Sequence, residues 1–229
     1  MKKKEITPKD IQFGRNNMTT IIGIQGDGFC LISADSRISE VEGDKGLVSQ
    51  FFSLKESNSK LALNGRYIVG AAGDLRAINI LHHAFQPPAA PPAIRGKKLD
   101  HFVTVKFIPA LRECFEEQGY ATPDKDEKKH MAEHASTVIM AVNGIIYVID
   151  SDYSWISDTN GLFAIGSGSQ FALGAMHALM PKGKVTLATA RKVALKAIAT
   201  AARFDPYTGA PYQTIVQEVD KPIVPKNNK

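Results

Sequence analysis

The segment that is most informative about the fold spans residues 18–35 and reads MTTIIGIQGDGFCLISAD. Two runs of apolar and β-branched residues lie on either side of Gly26-Asp27-Gly28, whose glycines can adopt positive φ. This pattern predicts a β-hairpin. Thr19 and Asp35 are equidistant from the middle of that turn. We therefore expect the Thr19 hydroxyl to lie beside the Asp35 carboxylate.

Composition indicates one globular domain. The chain has 229 residues, of which 44% are hydrophobic and 22% charged, enough to bury one substantial core. No apolar stretch approaches the roughly 20 residues that span a bilayer, and no apolar signal segment follows the Lys-rich start. We therefore expect a cytoplasmic protein without a membrane partner. The +5 charge is partly carried by lysines at both ends, which indicates solvated tails rather than a nucleic-acid surface.

The order of sequence patterns predicts a layered domain. We expect a leader or arm at 1–18, one domain at 19–220 and a basic tail at 221–229. Within the domain, periodicity and turn signals predict a second hairpin at 60–72, helices at 74–85 and 99–118 with a kink at Pro109, strands at 137–142, 145–150 and 162–165, helices at 170–179 and 186–202, and a strand at 212–219. Two helix layers that cover two stacked sheets follow from this order. The fold class expected is α+β, a four-layer αββα sandwich.

Thr19 is a candidate nucleophile, provided that it becomes the first residue of the chain. A free α-amine has a pKa of about 7.7–8.0, so it can accept the hydroxyl proton near neutral pH without a histidine. The simpler interpretation is that Thr19 and Thr20 are good β-formers at the start of a strand.

Four other positions could complete such a site. Lys60 begins a predicted strand and could approach Thr19 and pair with the nearby carboxylate, or it could be solvated. Ser167 lies in a strand-to-helix turn, where its hydroxyl could point outward, or the turn could be a tight connection. Asp205 and Thr208 follow the last predicted helix and could hold the Thr19 ammonium, or they could form a turn.

With this combination of candidate residues, the chain resembles the proteasome β-subunit family of N-terminal nucleophile hydrolases over residues 19–219. That family includes the peptidase subunit of the bacterial two-component ATP-dependent protease. The resemblance rests on TTIIG at 19–23, ADSR at 34–37, IVGAAG at 68–73, GSG at 166–168 and the pair Asp205 and Thr208. It implies a catalytic set of Thr19, Asp35, Lys60, Gly73 as the oxyanion amide, Ser167, Asp205 and Thr208. It also implies that Ala71 and Ile38 contact substrate, with the small Ala71 at the base of a pocket for bulky apolar side chains.

The resemblance further implies a threonine-type endopeptidase that needs no metal or other cofactor. Its expected partners are peptide or unfolded-protein substrates, further copies of the chain in a ring-shaped homo-oligomer, and an ATPase cap.

Three positions depart from the family pattern. A longer segment than usual separates Asp35 from Lys60, which leaves Lys55 as a second candidate for the lysine. Thr208 stands where serine is more usual and keeps the hydroxyl. Met18 precedes Thr19, where members that process themselves normally have glycine. Three explanations are consistent with this residue: Met18 is the true start and is removed, the leader is cleaved during assembly, or the chain stays uncut. The last case implies a catalytically silent structural subunit.

Two other motifs indicate different chemistry. HMAEH at 130–134 has the spacing of some zinc peptidases, but no third ligand is evident in the sequence. GSGSQF at 166–171 follows a predicted strand as a dinucleotide loop would, but Phe171 stands at the third glycine position. Neither motif is expected to be functional.

Overall fold

Two five-stranded sheets dominate the computed structural model, which describes residues 19–42, 47–55, 57, 59–121, 134–219 and 224–228. The first sheet contains β1 (Thr20–Gly26), β2 (Phe29–Asp35), β10 (Leu162–Gly166), β11 (Tyr212–Glu218) and β12 (Val224–Asn228). Its strand order is β10-β1-β2-β11-β12, and each neighbouring pair is antiparallel.

The second sheet contains β5 (Leu61–Asn64), β6 (Tyr67–Gly73), β7 (Ser136–Val142), β8 (Ile145–Ile149) and β9 (Trp155–Ile156), paired in that order. A separate antiparallel hairpin is formed by β3 (Arg37–Glu42) and β4 (Leu47–Ser53). This hairpin leaves the first sheet directly after β2, so its base lies next to Asp35.

Helices cover the outer face of each sheet. They are α1 (Leu75–His83), α2 (Lys97–Phe102), a π-helical turn (Val103–Phe107), α3 (Ile108–Glu117), α4 (Ser169–Leu179) and α5 (Leu187–Phe204). The Asp74 and Thr186 side chains cap α1 and α5, because each accepts a hydrogen bond from a backbone N–H of the first turn. Aspartate and threonine are both favoured at this position of a helix. The sequence predicts a kink at Pro109, and the structure has the π-helical turn immediately before that residue. Proline clashes with the carbonyl four residues earlier, which a widened turn accommodates.

Three apolar layers hold the elements together. Strand alternation sends Ile21 of β1 into the layer between the two sheets and Ile22 into the layer under α4 and α5. The third layer packs the second sheet against α1, α2 and α3 and includes Phe107 and Val138. The order is helix, sheet, sheet, helix, which confirms the predicted α+β four-layer sandwich.

The first hairpin has a register one residue away from the sequence prediction. Gly26 pairs with Phe29, so the turn holds only Asp27 and Gly28, and Gly28 adopts a φ of +76°. The prediction that Thr19 lies opposite Asp35 is therefore wrong, because the ladder continues toward Thr20 opposite Asp35. A two-residue turn fits the twist of a hairpin better than the three-residue turn assumed.

Two strand regions have no counterpart in the sequence prediction. β3 and β4 occupy the mixed segment 38–54, and β12 lies within the predicted basic tail, where its backbone pairs with β11. The predicted domain limits stay a prediction, and the predicted leader at 1–18 lies outside the described residues. Within the described ranges, no helix has the length and apolar character required to cross a membrane.

Candidate active site

Asp35 ends β2 as a buried carboxylate with several donors. Its Oδ1 accepts hydrogen bonds from the Thr20 N–H at 3.0 Å and from Lys60 Nζ at 2.7 Å. Its Oδ2 accepts hydrogen bonds from the Arg37 N–H and the Gly209 N–H, each at 3.0 Å. We call this group of residues the Asp35 centre. An ammonium and three amides around one carboxylate stabilise its charge strongly.

Lys60 is the lysine of this centre, and the second candidate is not. The side chains of Lys60 and Asp35 are both fully buried, whereas Lys55 is exposed. Burial raises the pKa of Asp35 and lowers the pKa of Lys60, and the attraction between the two groups opposes both changes.

A second buried carboxylate, Asp205, is bound mainly by hydroxyls. Its Oδ2 accepts hydrogen bonds from Ser167 Oγ at 2.7 Å and from Thr208 Oγ1 at 2.5 Å. Thr208 Oγ1 lies 2.6 Å from Thr20 Oγ1. Ser167 Oγ in turn accepts a hydrogen bond from the Thr19 N–H at 3.3 Å. We call this group the Asp205 centre. It forms a continuous polar path from the last helix to the backbone nitrogen of Thr19.

Thr19 lies between the two centres. Its own nitrogen reaches Ser167 of the Asp205 centre, and the next amide, that of Thr20, reaches Asp35. Thr19 is 2% exposed. The start of β1 therefore connects the two centres through two neighbouring residues, because Thr19 contacts Ser167 and the amide of Thr20 binds Asp35.

The glycines beside Ser167 permit this close packing. Gly166 has a φ of +93°, and a Cβ there would overlap the Thr19 carbonyl and lie 3.4 Å from Ala72 Cβ. A Cβ on Gly168 would overlap Thr20 Oγ1 and lie 3.0 Å from Asp205 Oδ2. Both glycines are required because backbone and hydroxyl groups occupy the space of a side chain.

Comparisons with known proteins support one family of folds. The family model described as "Proteasome subunit" matches residues 132–216. A solved structure titled Thiobacillus denitrificans BPH in complex with Epoxomicin is 21% identical, covers 89% of this chain and 100% of its own, and has a TM-score of 0.65. The structure of Thiobacillus denitrificans BPH is 23% identical over 88% of this chain and 99% of its own, with a TM-score of 0.63. The chain is therefore similar to proteasome subunits over residues 132–216, and it shares the overall fold of these two structures.

A further structural match is the eukaryotic HslV from Trypanosoma brucei, which is 21% identical over 87% of this chain and 99% of its own, with a TM-score of 0.54. At these identities, the structural matches establish a shared fold. No curated protein matches the sequence. The two carboxylate centres therefore lie in a fold that this chain shares with the Thiobacillus and Trypanosoma structures.

The remaining predicted site residues lie at the end of β6 and in β3. Gly73 ends β6 with a φ of +133°, one residue after Ala72, which approaches Gly166. Ala71 is fully buried in the apolar layer under α1 to α3. Ile38 is half-buried in β3, opposite Phe52. The catalytic role of Gly73 and the substrate contacts of Ala71 and Ile38 stay predictions.

The two competing motifs have structural explanations. Of HMAEH, only His134 is described, and its ring packs against Phe115, Tyr120 and Tyr153. Burial lowers the pKa of His134 to about 4. The described part of the chain holds no cluster of three residues suited to bind a metal. The glycine-rich turn at 166–169 is occupied by Thr19 and Thr20 of the chain itself, which leaves no cradle for a phosphate there.

Sequence reasoning missed four polar groups of the site. The amides of Thr20, Arg37 and Gly209 bind Asp35, and the Thr20 hydroxyl forms a hydrogen bond with Thr208. A Cβ on Gly209 would overlap the Arg37 guanidinium, which donates to the Pro206 carbonyl at 3.1 Å. The glycine that ends DPYTG at 205–209 was the available signal, because a glycine after a turn often marks a close backbone approach.

Proposed function

We propose that this protein is a threonine-type endopeptidase in which Thr19 is the nucleophile after the bond before it has been cut. The observation that carries the proposal is the position of the Thr19 nitrogen, 3.3 Å from a Ser167 hydroxyl that donates to Asp205. A free ammonium at that nitrogen would be oriented by Ser167 and attracted by the carboxylate. The proteasome-type fold supports the same class of reaction.

The reaction proceeds through an acyl-enzyme. The Thr19 hydroxyl oxygen attacks the carbonyl carbon of the scissile peptide bond, and the Thr19 amine accepts the hydroxyl proton. The resulting oxyanion is stabilised by the Gly73 N–H. Collapse of this intermediate breaks the C–N bond, and the proton passes to the leaving amine. Water then attacks the ester on Thr19, which releases the second product and restores the hydroxyl.

The Asp35 centre supplies the positive charge for this reaction. The Lys60 ammonium lowers the pKa of a neighbouring hydroxyl and stabilises negative charge that develops on its oxygen. Asp35 holds Lys60 in place at 2.7 Å and is itself fixed by three backbone amides. Because the pair is buried, its field acts with little screening by water.

The proposed substrates are unfolded polypeptides with a bulky apolar residue before the scissile bond. This preference rests on the resemblance, which implies that the small Ala71 lies at the base of a substrate pocket. We propose further that copies of the chain form a ring that encloses the sites, and that an ATPase cap delivers unfolded chains to it.

Peptide hydrolysis by purified protein tests the proposal. We expect a fluorogenic peptide with an apolar residue before the reporter to be cleaved by the wild type, and Thr19→Ala to lower kcat/KM by at least about a thousandfold. Thr200→Ala, a threonine of α5 that bonds only to the Lys196 carbonyl in the same helix, is the matched control and should retain activity. Epoxomicin, bound in the similar Thiobacillus structure, should inhibit the wild type. A wild type that cleaves no peptide, or a Thr19→Ala variant that does, contradicts the proposal.

A catalytically silent structural subunit is the second candidate, and Met18 in place of glycine favours it. A chain engineered to start at Thr19 separates the two functions. If the full chain is uncut and inactive while the shortened chain is active, the protein is a dormant precursor. If neither form hydrolyses peptides or binds epoxomicin, the structural function is correct.

A further inference from the structure

The Ser136 hydroxyl contacts the loop that carries the proposed oxyanion amide. Ser136 begins β7 directly opposite Gly73 and is 3% exposed. Its Oγ accepts a hydrogen bond from the Asp74 N–H at 3.1 Å and lies 2.7 Å from the Tyr120 hydroxyl. A serine oxygen can accept from the amide and still exchange a hydrogen bond with the phenol. Ser136 therefore links the peptide after Gly73 to Tyr120.

This link acts on a backbone conformation that needs support. Gly73 has a φ of +133°, and a Cβ there would lie only 2.6 Å from both Ser136 Oγ and the Ala135 carbonyl. The Asp74 side chain in turn accepts a hydrogen bond from the Arg76 N–H at 2.9 Å and caps α1. Asp74 is thus held at its N–H by the serine hydroxyl and at its side chain by the first turn of α1, and both contacts restrict the residue that follows Gly73.

Tyr120 is itself fixed by a buried aromatic cluster. Its ring lies 5.0 Å from Phe115 and 6.4 Å from His134, measured between ring centroids. The Ser136 N–H donates to His134 Nδ1 at 3.4 Å. Both partners of the hydroxyl pair are therefore fixed by the core rather than by solvent, and a packed core changes shape little.

We infer that Ser136, held by Tyr120, is a positioning residue that fixes the Gly73 amide for oxyanion binding. The inference rests on the proposed function, since it assigns Gly73 its role in the reaction. An oxyanion exists only in the transition state and the intermediates next to it. Loss of the anchor should therefore lower kcat and leave KM almost unchanged.

The test compares Ser136→Ala and Tyr120→Phe with a control that removes an equally buried hydroxyl. Ser33 is the control, because its Oγ lies 2.6 Å from Thr214 Oγ1 in the first sheet, and Ser33→Ala removes a hydroxyl bond of the same kind. We expect Ser136→Ala to lower kcat about tenfold, less than the 10²–10³-fold that follows loss of an oxyanion donor itself. KM should stay within about twofold. Tyr120→Phe should act in the same direction to a smaller extent, and Ser33→Ala should leave kcat unchanged.

Two further readouts separate positioning from general destabilisation. A peptide aldehyde forms a tetrahedral adduct, so its inhibition constant should rise in Ser136→Ala by the same factor by which kcat falls. Hydrogen exchange of the Asp74 amide should accelerate in Ser136→Ala and not in Ser33→Ala. When Ser136→Ala and Tyr120→Phe are combined, their effects on kcat should be less than additive, because both substitutions break the same hydrogen bond.

The outcomes distinguish this inference from the proposed function. An active wild type with an unchanged kcat in Ser136→Ala overturns the positioning role and leaves the peptidase intact. A wild type without any hydrolysis overturns the peptidase, and with it the catalytic role of the anchor. In either case, exchange of the Asp74 amide that is no faster in Ser136→Ala overturns the anchor itself.

Discussion

The Asp35 and Asp205 centres hold two buried carboxylates by different means. Asp35 receives an ammonium and three amides, so its charge is compensated by groups that the fold supplies. Asp205 receives the Ser167 and Thr208 hydroxyls and the Tyr207 amide at 3.3 Å. Hydroxyls orient a carboxylate but do not balance its charge. The Asp35 centre is thus complete with the peptide bond before Thr19 intact, whereas the Asp205 centre is suited to receive one more positive group.

This difference indicates a division of roles around Thr19. In the proposed reaction, the Asp35 centre sets the electrostatic field of the site, and in the structure its Lys60–Asp35 ion pair links the two sheets. The Asp205 centre contacts the Thr19 nitrogen, so it is the part that responds when that nitrogen changes from an amide to an ammonium. Substitutions in the two centres should therefore differ in both size and kind.

Removal of the charged partner in the Asp35 centre should have the largest effect. Lys60→Met leaves a buried carboxylate without its ammonium, and we expect a loss of about 3–5 kcal/mol in the free energy of unfolding. Lys55→Met removes an exposed lysine five positions earlier and should change stability by no more than about 0.5 kcal/mol. Urea denaturation of both variants measures the difference. Equal, small losses would show that Lys60 does not balance Asp35.

Acid should act on the stability of the protein through the buried His134 ring. Burial lowers the pKa of His134 to about 4, below the value of about 6.5 expected in an unfolded chain. The unfolded state therefore binds more protons between these values, and stability falls as the pH drops from about 6.5 towards 4, by about 3 kcal/mol in total.

His134→Phe removes the titrating group and fills the same aromatic cluster. Its unfolding free energy should be nearly constant over that pH window, whereas His177→Phe, at an exposed position of α4, should keep the wild-type slope. Thermal unfolding at a series of pH values measures both slopes. A His134→Phe variant that is as acid-sensitive as the wild type would assign the slope to other groups.

Substitution by alanine should have opposite effects at two glycines of α4. Gly168 immediately precedes the helix and packs against the Asp205 centre, whereas Gly174 lies within the helix. A Cβ on Gly168 would overlap Thr20 Oγ1, so Gly168→Ala should cost about 2 kcal/mol through overpacking. Gly174 lies inside α4 with open space around its Cβ position, so Gly174→Ala should stabilise the protein by about 0.5–1 kcal/mol. Denaturation midpoints give both values. A neutral Gly168→Ala would mean that the Thr20 and Asp205 contacts adjust freely.

The smallest effect is expected for loss of the Thr208 hydroxyl, because Asp205 would keep its hydrogen bonds from Ser167 and Tyr207. Thr208→Val removes hydrogen bonds to Thr20 and Asp205 but leaves Ser167 on the carboxylate, so a loss of about 1 kcal/mol is expected. Thr208→Ser keeps the hydroxyl and should stay close to the wild type in stability and activity. If Thr208→Val is as stable as the wild type while Thr208→Ser is not, the methyl group rather than the hydroxyl matters at this position.

Local features of the fold could be predicted because local chemistry determines them. The turns at Asn64-Gly65 and Asn143-Gly144 use residues that tolerate positive φ, and Gly65, Asn143 and Gly144 adopt it. Asp74 and Thr186 cap helices through bonds to residues two or three positions away. These turns and caps depend on residues that are close together in the sequence, so they can be predicted from a single sequence.

Features that depend on distant pairing could not be predicted in the same way. The register of the first hairpin differs by one residue from the prediction. That register depends on the pairing of β1 with β10 and of β2 with β11. The choice of Lys60 over Lys55 depends on which lysine reaches Asp35 across the sheets. The Gly209 amide binds Asp35 from 174 positions away. Only the assembled sheets bring these groups together.

The intact mass of the purified full-length protein tests the central claim most directly. We predict a species that begins at Thr19 and gains the mass of one epoxomicin molecule, while Thr19→Ala gains none. The same species should hydrolyse the apolar fluorogenic peptide. A preparation that contains only the uncut chain, binds no epoxomicin and cleaves no peptide would contradict the account and assign the protein a structural role.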